Sequence, residues 1–211
     1  MAHSLSVNHC PNYTMTLTGK GHVTATPDLA VIRLGVETTG YNLTQIQSEN
    51  AQISQRVIQA VSQYEITDIK TVQYLIDKRY EYQDGNQIDK GYSVRHILEI
   101  KTGNIDEAGM IIDTAVNMGA NIVESVSFEL SDPDMYYQHA LNLAVDQAME
   151  KAQSISSNIH IRLNPIPIRI VEDSAAPIPM LGFQRADTAT PIIPGELRIE
   201  ASVTADFAYA C

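Results

Sequence analysis

Four alanines at a strict four-residue spacing limit how the C-terminal half of this chain can fold. Because an α-helix turns once every 3.6 residues, their methyl groups form one stripe along a single helix within residues 132–157. A stripe of such small side chains lets the helix backbone come close to a sheet or another helix. Ser131 or Asp132 can cap this helix, and Pro133 suits its first position. The stripe comprises Ala140, Ala144, Ala148 and Ala152, and we expect buried area from Leu141, Leu143, Val145, Met149 and Ile155.

Length and charge exclude several classes of protein. A chain of 211 residues buries roughly 70% of its unfolded surface, which is enough for one solid core. We therefore expect a flexible segment over 1–12 and a single domain over 13–209. With 14 Lys and Arg against 25 Asp and Glu, the net charge is −11, and this field repels nucleic acid and anionic lipid. No apolar run is long enough for membrane insertion, and Cys10 and Cys211 form no disulfide framework.

The order of predicted elements indicates an α+β fold with a mainly antiparallel sheet. Strands are predicted at 13–26 and 29–39, with Gly19 and Gly21 marking a bulge or twist in the first. From residue 29 to 130 the order is β-α-β-β-α-β, the split βαβ pattern of ferredoxin-like folds. A capping box of Asn104 and Glu107 is expected to start the second helix of this core. The alanine-striped helix and further strands, including an alternating one from Leu197 to Phe207, extend it.

A long, protruding hairpin is predicted in the middle of the chain. Asp68–Tyr82 and Lys90–Thr102 alternate around the turn formers Asp84-Gly85-Asn86. Both strands exceed the usual five or six residues, so the tip is expected to extend beyond the rest of the domain. Its tyrosines then need cover from another surface, and we take Tyr80, Tyr82 and Tyr92 as candidate interface residues.

Residues 174–195 form a proline-rich apolar loop. Its four prolines prevent regular structure, yet its apolar side chains are too numerous for a solvated linker. The favoured interpretation is that the loop packs on another subunit, and the alternative is that it packs on its own domain. The candidate interface residues here are Ile178, Met180, Leu181, Phe183, Ile192 and Ile193.

No pattern in the chain indicates catalytic, cofactor-binding or metal-binding residues. The six histidines show no metal-ligand spacing, and no nucleophile elbow or phosphate loop is present. His96 falls on the apolar face of a predicted strand, where a hydrogen-bonded, partly buried imidazole is expected. The sequence therefore predicts a protein without a cofactor.

Four segments, in order, resemble the SIMPL-domain family. They are Gly19-Lys-Gly21-His-Val23 with Pro27-Asp28, then Tyr92-Ser-Val94, then the helix from Ala140 to Ala152, and finally Pro194-Gly195-Glu196 through Val203. The family includes bacterial periplasmic immunogenic proteins, oxidative-stress defence proteins and an animal adaptor associated with a pelle-like kinase. The resemblance implies an α+β fold and, for some bacterial members, large homo-oligomers. It implies no catalytic residues.

Three functional classes follow from these observations. The first is a non-enzymatic, self-assembling protein, linked by the resemblance to stress tolerance. The second is an adaptor that presents the same apolar surfaces to another protein, and the third is an enzyme or small-ligand binder with a closed polar pocket. Because residues 1–12 carry no export signal, a cytoplasmic location is expected, with the cell envelope of exported relatives as the alternative.

Overall fold

The structure, a computed structural model, describes residues 13–173, 180–181 and 194–210. The predicted flexible segment 1–12 and most of the loop 174–195 lie outside these ranges. The chain divides into two compact units. Among the described residues the first unit holds 13–25, 132–173, 180–181 and 196–210, and the second holds 26–131 with 194–195. The single domain over 13–209 stays a prediction.

Nine strands and three helices make up the described ranges. None of these helices has the length and apolarity to cross a lipid bilayer. In chain order the elements are β1 Tyr13–Ala25, β2 Leu29–Gly40, α1 Leu43–Val61, β3 Ile66–Gln83, β4 Asn86–Thr102, a 3₁₀ turn Ile105–Glu107, α2 Ala108–Asn117, β5 Ile122–Glu129, α3 Pro133–Asn158, β6 Arg162–Leu163, β7 Arg169–Glu172, β8 Met180–Leu181 and β9 Leu197–Ala210.

The second unit is a four-stranded antiparallel sheet with two helices. The strand order is β3-β4-β2-β5, so the predicted split βαβ core is confirmed. Alternate residues of β2 and β4 point toward α1 and α2, because successive side chains of a strand lie on opposite faces. The resulting core includes Ile32, Leu34, Leu98, Ile100, Val57, Val61 and Ile111.

The first unit is a sheet built around β9. Strands β1 and β9 pair without interruption from Tyr13 opposite Tyr209 to Ala25 opposite Leu197. The short strands β6, β7 and β8 pair with β9 as well. All four alanines of the α3 stripe are fully buried, and three of them share a core with Phe207. The predicted close approach of this helix is confirmed.

Of the bulge or twist predicted at Gly19 and Gly21, the bulge is absent, because the β1–β9 register is continuous through both residues. The glycines have a different role, which is to leave room for the backbone of α3. A Cβ at Gly19 would lie 1.9 Å from the carbonyl oxygen of Ala144, and one at Gly21 would lie 2.0 Å from that of Ala140. Small residues on both sides therefore bring helix and strand together.

Two other predictions about the helices need correction. Leu143, Met149 and Ile155 lie beside the stripe and stay 36–39% exposed, so they contribute less buried area than expected. Neither Asn104 nor Glu107 makes a side-chain cap. The 3₁₀ turn intervenes and places Glu107 at the N-cap of α2, so the spacing of a capping box is lost. In contrast, Asp132 caps α3 by accepting a hydrogen bond from the Met135 amide.

Candidate assembly interface on the β3–β4 hairpin

The hairpin extends past the end of its own sheet. Strand β3 has 18 residues and β4 has 17, both longer than predicted. Their two-residue turn, Asp84-Gly85, has φ values of 49° and 80°, as Asp-Gly turns between antiparallel strands require. Strand β2 pairs with β4 only as far as Tyr92. Residues 79–91 are therefore a two-stranded ribbon roughly 15–20 Å long.

Gly91 marks the point where the ribbon leaves the sheet. Between Lys78 and Tyr80 the register shifts, since β4 has one residue more than β3 there. Gly91 has φ 80°, and a Cβ at this position would lie 2.4 Å from the carbonyl oxygen of Gly40. The Asp89 carboxylate accepts a hydrogen bond of 2.8 Å from the Gly91 amide. These contacts fix the base of the ribbon.

The three tyrosines predicted for an interface lie near one another on this ribbon. Tyr80 is 48% exposed and Tyr82 is 72% exposed, whereas Tyr92 is half-buried. The Lys78 ammonium lies 5.5 Å from the ring centre of Tyr80 and 5.7 Å from that of Tyr92. A hydrogen bond to Asp89 raises the pKa of Lys78. Of the other six interface candidates, only the backbone of Met180 and Leu181 is described, so their interface role stays a prediction.

A charge-free apolar segment lies along β3 between the core and the ribbon. Residues 71–76 read Thr-Val-Gln-Tyr-Leu-Ile. Val72, Tyr74, Leu75 and Ile76 are 38–47% exposed. Sequence analysis did not select these residues, although six residues with high β propensity and no charge are a recognised signal of strand association.

This segment is also at the edge of its sheet. Strand β3 pairs with β4 on one side only, so alternate N–H and C=O groups of its other side point outward. In the described part of the chain, no side chain bonds those outward groups between residues 68 and 83. The β3 register shifts once within the segment, between Thr71 and Gln73. A long apolar edge whose outward groups have no side-chain partner among the described residues is still a template for pairing with another strand.

The edges of the first unit are protected in two different ways. Helix α3 covers the free edge of β1, because the Lys151 ammonium donates to the Thr18 carbonyl at 2.7 Å and the Lys20 amide donates to Gln147 at 2.8 Å. The segment that leads into β7 contains Pro165 and Pro167, which have no N–H to offer a further strand. Among the described residues, the β3 edge therefore differs from the edges of the first unit.

His96 connects this edge strand to α1. Its Nε2 lies 2.9 Å from the Thr71 hydroxyl on β3, and its Nδ1 lies 3.0 Å from the Ser54 hydroxyl on α1. The Tyr74 ring packs edge-on at 5.4 Å between ring centres. Burial lowers the pKa of His96. The prediction of a hydrogen-bonded, partly buried imidazole is confirmed.

Asn50 anchors the same chain of hydrogen bonds inside the core, and sequence analysis missed it. Its side chain is fully buried and donates to the carbonyl oxygens of Val36 and Val94, both at 2.9 Å. Its amide oxygen accepts from the Ser54 hydroxyl at 3.4 Å. The signal was its position, since Asn50 lies in the buried stripe of α1 between Ile46 and Val57.

The described residues offer little to a small ligand. The first unit has an open hollow of about 320 Å³ on the strands β1 and β9, where Arg198 and Glu200 pair with each other at 2.8 Å. No group of three His, Cys, Asp or Glu side chains in the described ranges is arranged to hold a metal ion. The geometry therefore favours the hairpin as the candidate functional surface.

Comparison with known proteins gives one family and several relatives. The model of the SIMPL family, a protein of unknown function (DUF541), matches residues 15–207. The uncharacterized protein YggE of Escherichia coli K12 is 29% identical over 89% of this chain and 77% of its own length. The 26 kDa periplasmic immunogenic protein of Brucella melitensis is 26% identical over 92% of this chain and 83% of its own length. YggE of Edwardsiella ictaluri is 25% identical over 79% of this chain and 71% of its own length.

Proposed function

Because this chain belongs to the SIMPL family, we propose that it is a non-enzymatic protein that assembles with copies of itself. The contact is made by the outer edge of β3 and the two-stranded ribbon 79–91 beyond it. The printed names of the relatives given above mention no enzymatic activity, which is consistent with the non-enzymatic part of the proposal. The stress-related role implied by the resemblance stays a prediction.

One observation carries the proposal, namely the unprotected apolar edge at residues 71–76. Backbone hydrogen bonds from a paired strand would satisfy its outward N–H and C=O groups. The same pairing would cover Val72, Leu75 and Ile76, whose burial contributes about 25 cal/mol for each Å² removed from water. Within the described residues, side chains of α3 bond the free edge of β1, whereas none bonds the outward groups of β3 between residues 68 and 83.

A second copy of this chain is the occupant that the charges favour. The apolar segment is flanked by both signs on each side, with Asp68 and Lys70 before it and Asp77 and Lys78 after it. An antiparallel pairing centred on Gln73 places Asp68 of each copy opposite Lys78 of the other. Opposite charges facing each other across paired strands stabilise the pairing, so the edge is complementary to itself.

The comparisons bear on location as well. The Brucella relative is named as a periplasmic protein, which fits the cell-envelope alternative and gives no support to the cytoplasmic expectation. We extend that location to this chain as part of the proposal. Fractionation of cells that produce the natural protein tests it, and recovery in the cytoplasmic fraction would contradict this location.

Light scattering coupled to size-exclusion chromatography tests the assembly. Val72→Lys combined with Leu75→Lys places two charges on the β3 edge, at positions 41% and 42% exposed. We expect the wild type to have the mass of an oligomer at micromolar concentration and the variant to have the protomer mass. The variant should keep the far-ultraviolet circular dichroism of the wild type, because both side chains are more than 40% exposed.

The matched control is Met110→Lys combined with Val116→Lys on α2. These side chains are 52% and 48% exposed, and the pair adds the same charge to the same unit away from β3. It should keep the wild-type mass. A wild-type protein that is monomeric at micromolar concentration contradicts the proposal, and a variant that keeps the oligomeric mass excludes the β3 edge. Binding of a foreign peptide by a monomeric wild type would instead indicate the adaptor class.

A further inference from the structure

The hydrogen bonds around His96 fix where its protons lie. The Asn50 amide nitrogen donates both hydrogens to backbone carbonyls, so its oxygen must accept, and the Ser54 hydroxyl donates to it. A hydroxyl has one hydrogen, so Ser54 accepts from Nδ1–H of His96. Nε2 of the neutral ring is then an acceptor, and the Thr71 hydroxyl donates to it.

Protonation reverses the last of these bonds. A charged imidazole carries hydrogen on both nitrogens, so Nε2–H must donate and Thr71 must turn its own hydrogen away. The charge would also be half-buried without an acidic partner, which is costly.

Among the described residues, no charged group faces the ring from the elements packed against it. On β3 the titratable group beside it is Tyr74. On α1 and β2 the neighbours are Ser54, Asn50 and Val36. The charged residues next to His96 along β4 project from the other face of the sheet, where Arg95 pairs with Glu124, and Glu99 pairs with Lys70 and Arg33.

We propose that His96 is a proton-operated latch on the β3 edge, which through Thr71 holds residues 71–76 to β4 when neutral and releases them when protonated. This inference rests on the proposed function, because the released segment is the surface through which copies pair. Mild acid would therefore loosen the edge and weaken self-association.

The direction in which pH changes the stability of the closed β3 edge follows from proton linkage. The pKa of His96 is lowered in the folded protein from its ordinary 6.5, so an opened β3, which admits water to the ring, binds the proton more readily. The free energy that the latch contributes to the closed β3 edge is fully present above pH 6.5. It decreases as the pH falls below 6.5 and stops changing once the pH is below the lowered pKa.

Nuclear magnetic resonance of the imidazole nitrogens tests the latch without reference to assembly. We expect the Nδ1–H tautomer at neutral pH and a midpoint below 6.5, the ordinary value. Amide-exchange protection of residues 71–76 should fall between about pH 7.5 and about pH 5 in the wild type, values that bracket an ordinary His pKa of about 6.5. It should stay constant in His96→Gln. An Nε2–H tautomer, or equal loss of protection in both proteins, overturns the inference.

A second variant guards against misfolding of His96→Gln. Thr71→Val keeps the imidazole and removes its bond to β3, so protection of the edge should no longer follow the titration of His96. Continued dependence on that titration would overturn the inference.

The mass measurement distinguishes failure of the latch from failure of the assembly. If the oligomeric mass of the wild type decreases near pH 5 while that of His96→Gln does not change, both proposals are supported. Equal oligomers at both pH values for both proteins overturn the latch and leave the assembly standing. Monomeric wild type at neutral pH removes the assembly, and the resonance and exchange experiments still decide the latch.

Discussion

Single residues set the distance between α3 and β1. A Cβ at Gly19 would lie 1.9 Å from a backbone oxygen of α3, so Gly19→Ala must push helix and strand apart. We expect it to lower the free energy of unfolding by about 1–3 kcal/mol, as overpacking does, measured by urea denaturation. The control is Gly109→Ala, where nothing lies within 4 Å of the added carbon. This change should leave stability equal or raise it by up to about 1 kcal/mol. Equal stability of Gly19→Ala and wild type would contradict the packing argument.

Glu99 makes a second prediction at the residue scale. Its carboxylate is 5% exposed and lies 2.9 Å from the Lys70 ammonium and 2.8 Å from the Arg33 guanidinium. Hydrogen bonds from Lys70 and Arg33 lower the pKa of Glu99 from its ordinary 4.5. The stabilisation is therefore present above pH 4.5 and is lost as the pH falls from there through the lowered pKa.

Glu99→Gln should reduce the melting temperature at neutral pH and flatten the acid limb of its pH profile. Scanning calorimetry at a series of pH values measures both effects. Glu200→Gln removes a carboxylate of an ion pair that is 62% exposed and should change little, because exposed pairs contribute little. If the melting temperatures of Glu99→Gln and wild type change in parallel with pH, the ion pairs of Glu99 with Lys70 and Arg33 have no part in acid stability.

At single residues, sequence reasoning succeeds where a periodic pattern within one element determines the packing. It fails where the packing depends on a distant element. The alanine stripe was predictable because one helix determines it. The space needed at Gly19 depends on α3, which follows more than a hundred residues later, so no local pattern could show it. Asn50 breaks the apolar stripe of α1, and its carbonyl partners belong to other elements, Val36 to β2 and Val94 to β4.

At the scale of elements, a testable prediction concerns the side chains that protect the free edge of β1. Loss of both Gln147 and Lys151 should expose the free edge of β1, because these side chains bond the Lys20 amide and the Thr18 carbonyl. We expect Gln147→Ala with Lys151→Ala to speed hydrogen exchange at the Lys20 amide by roughly two- to tenfold, equivalent to about 0.5–1.5 kcal/mol for a hydrogen bond. Glu150→Ala, an exposed neighbour on α3, is the control. Unchanged exchange at Lys20 in the double variant would show that these side chains do not protect the edge.

The elements themselves were largely predictable. The split βαβ core and its hairpin follow from alternation, helical periodicity and the Asp-Gly turn, all of which are local. The strand order and the identity of the edge strands follow from tertiary pairing. For that reason the sequence indicated a protruding hairpin and its tyrosines, whereas the open apolar edge at 71–76 became recognisable only once β3 was placed at the end of its sheet.

For the whole molecule, the net negative charge opposes the proposed self-assembly. Copies that each carry −11 repel one another, while the proposed contact is a charge-free strand flanked by balanced charges. Salt screens the long-range repulsion, with a Debye length of about 10 Å at 0.1 M, and has little effect on apolar burial and backbone hydrogen bonds. We therefore expect self-association to tighten by roughly threefold or more between about 0.05 M and about 0.5 M sodium chloride, measured by sedimentation velocity at fixed pH. The β3-edge lysine variant should stay monomeric throughout. Weaker association at high salt would mean that ion pairs hold the copies together, and the interface would then have to be sought among the charged residues that flank the segment.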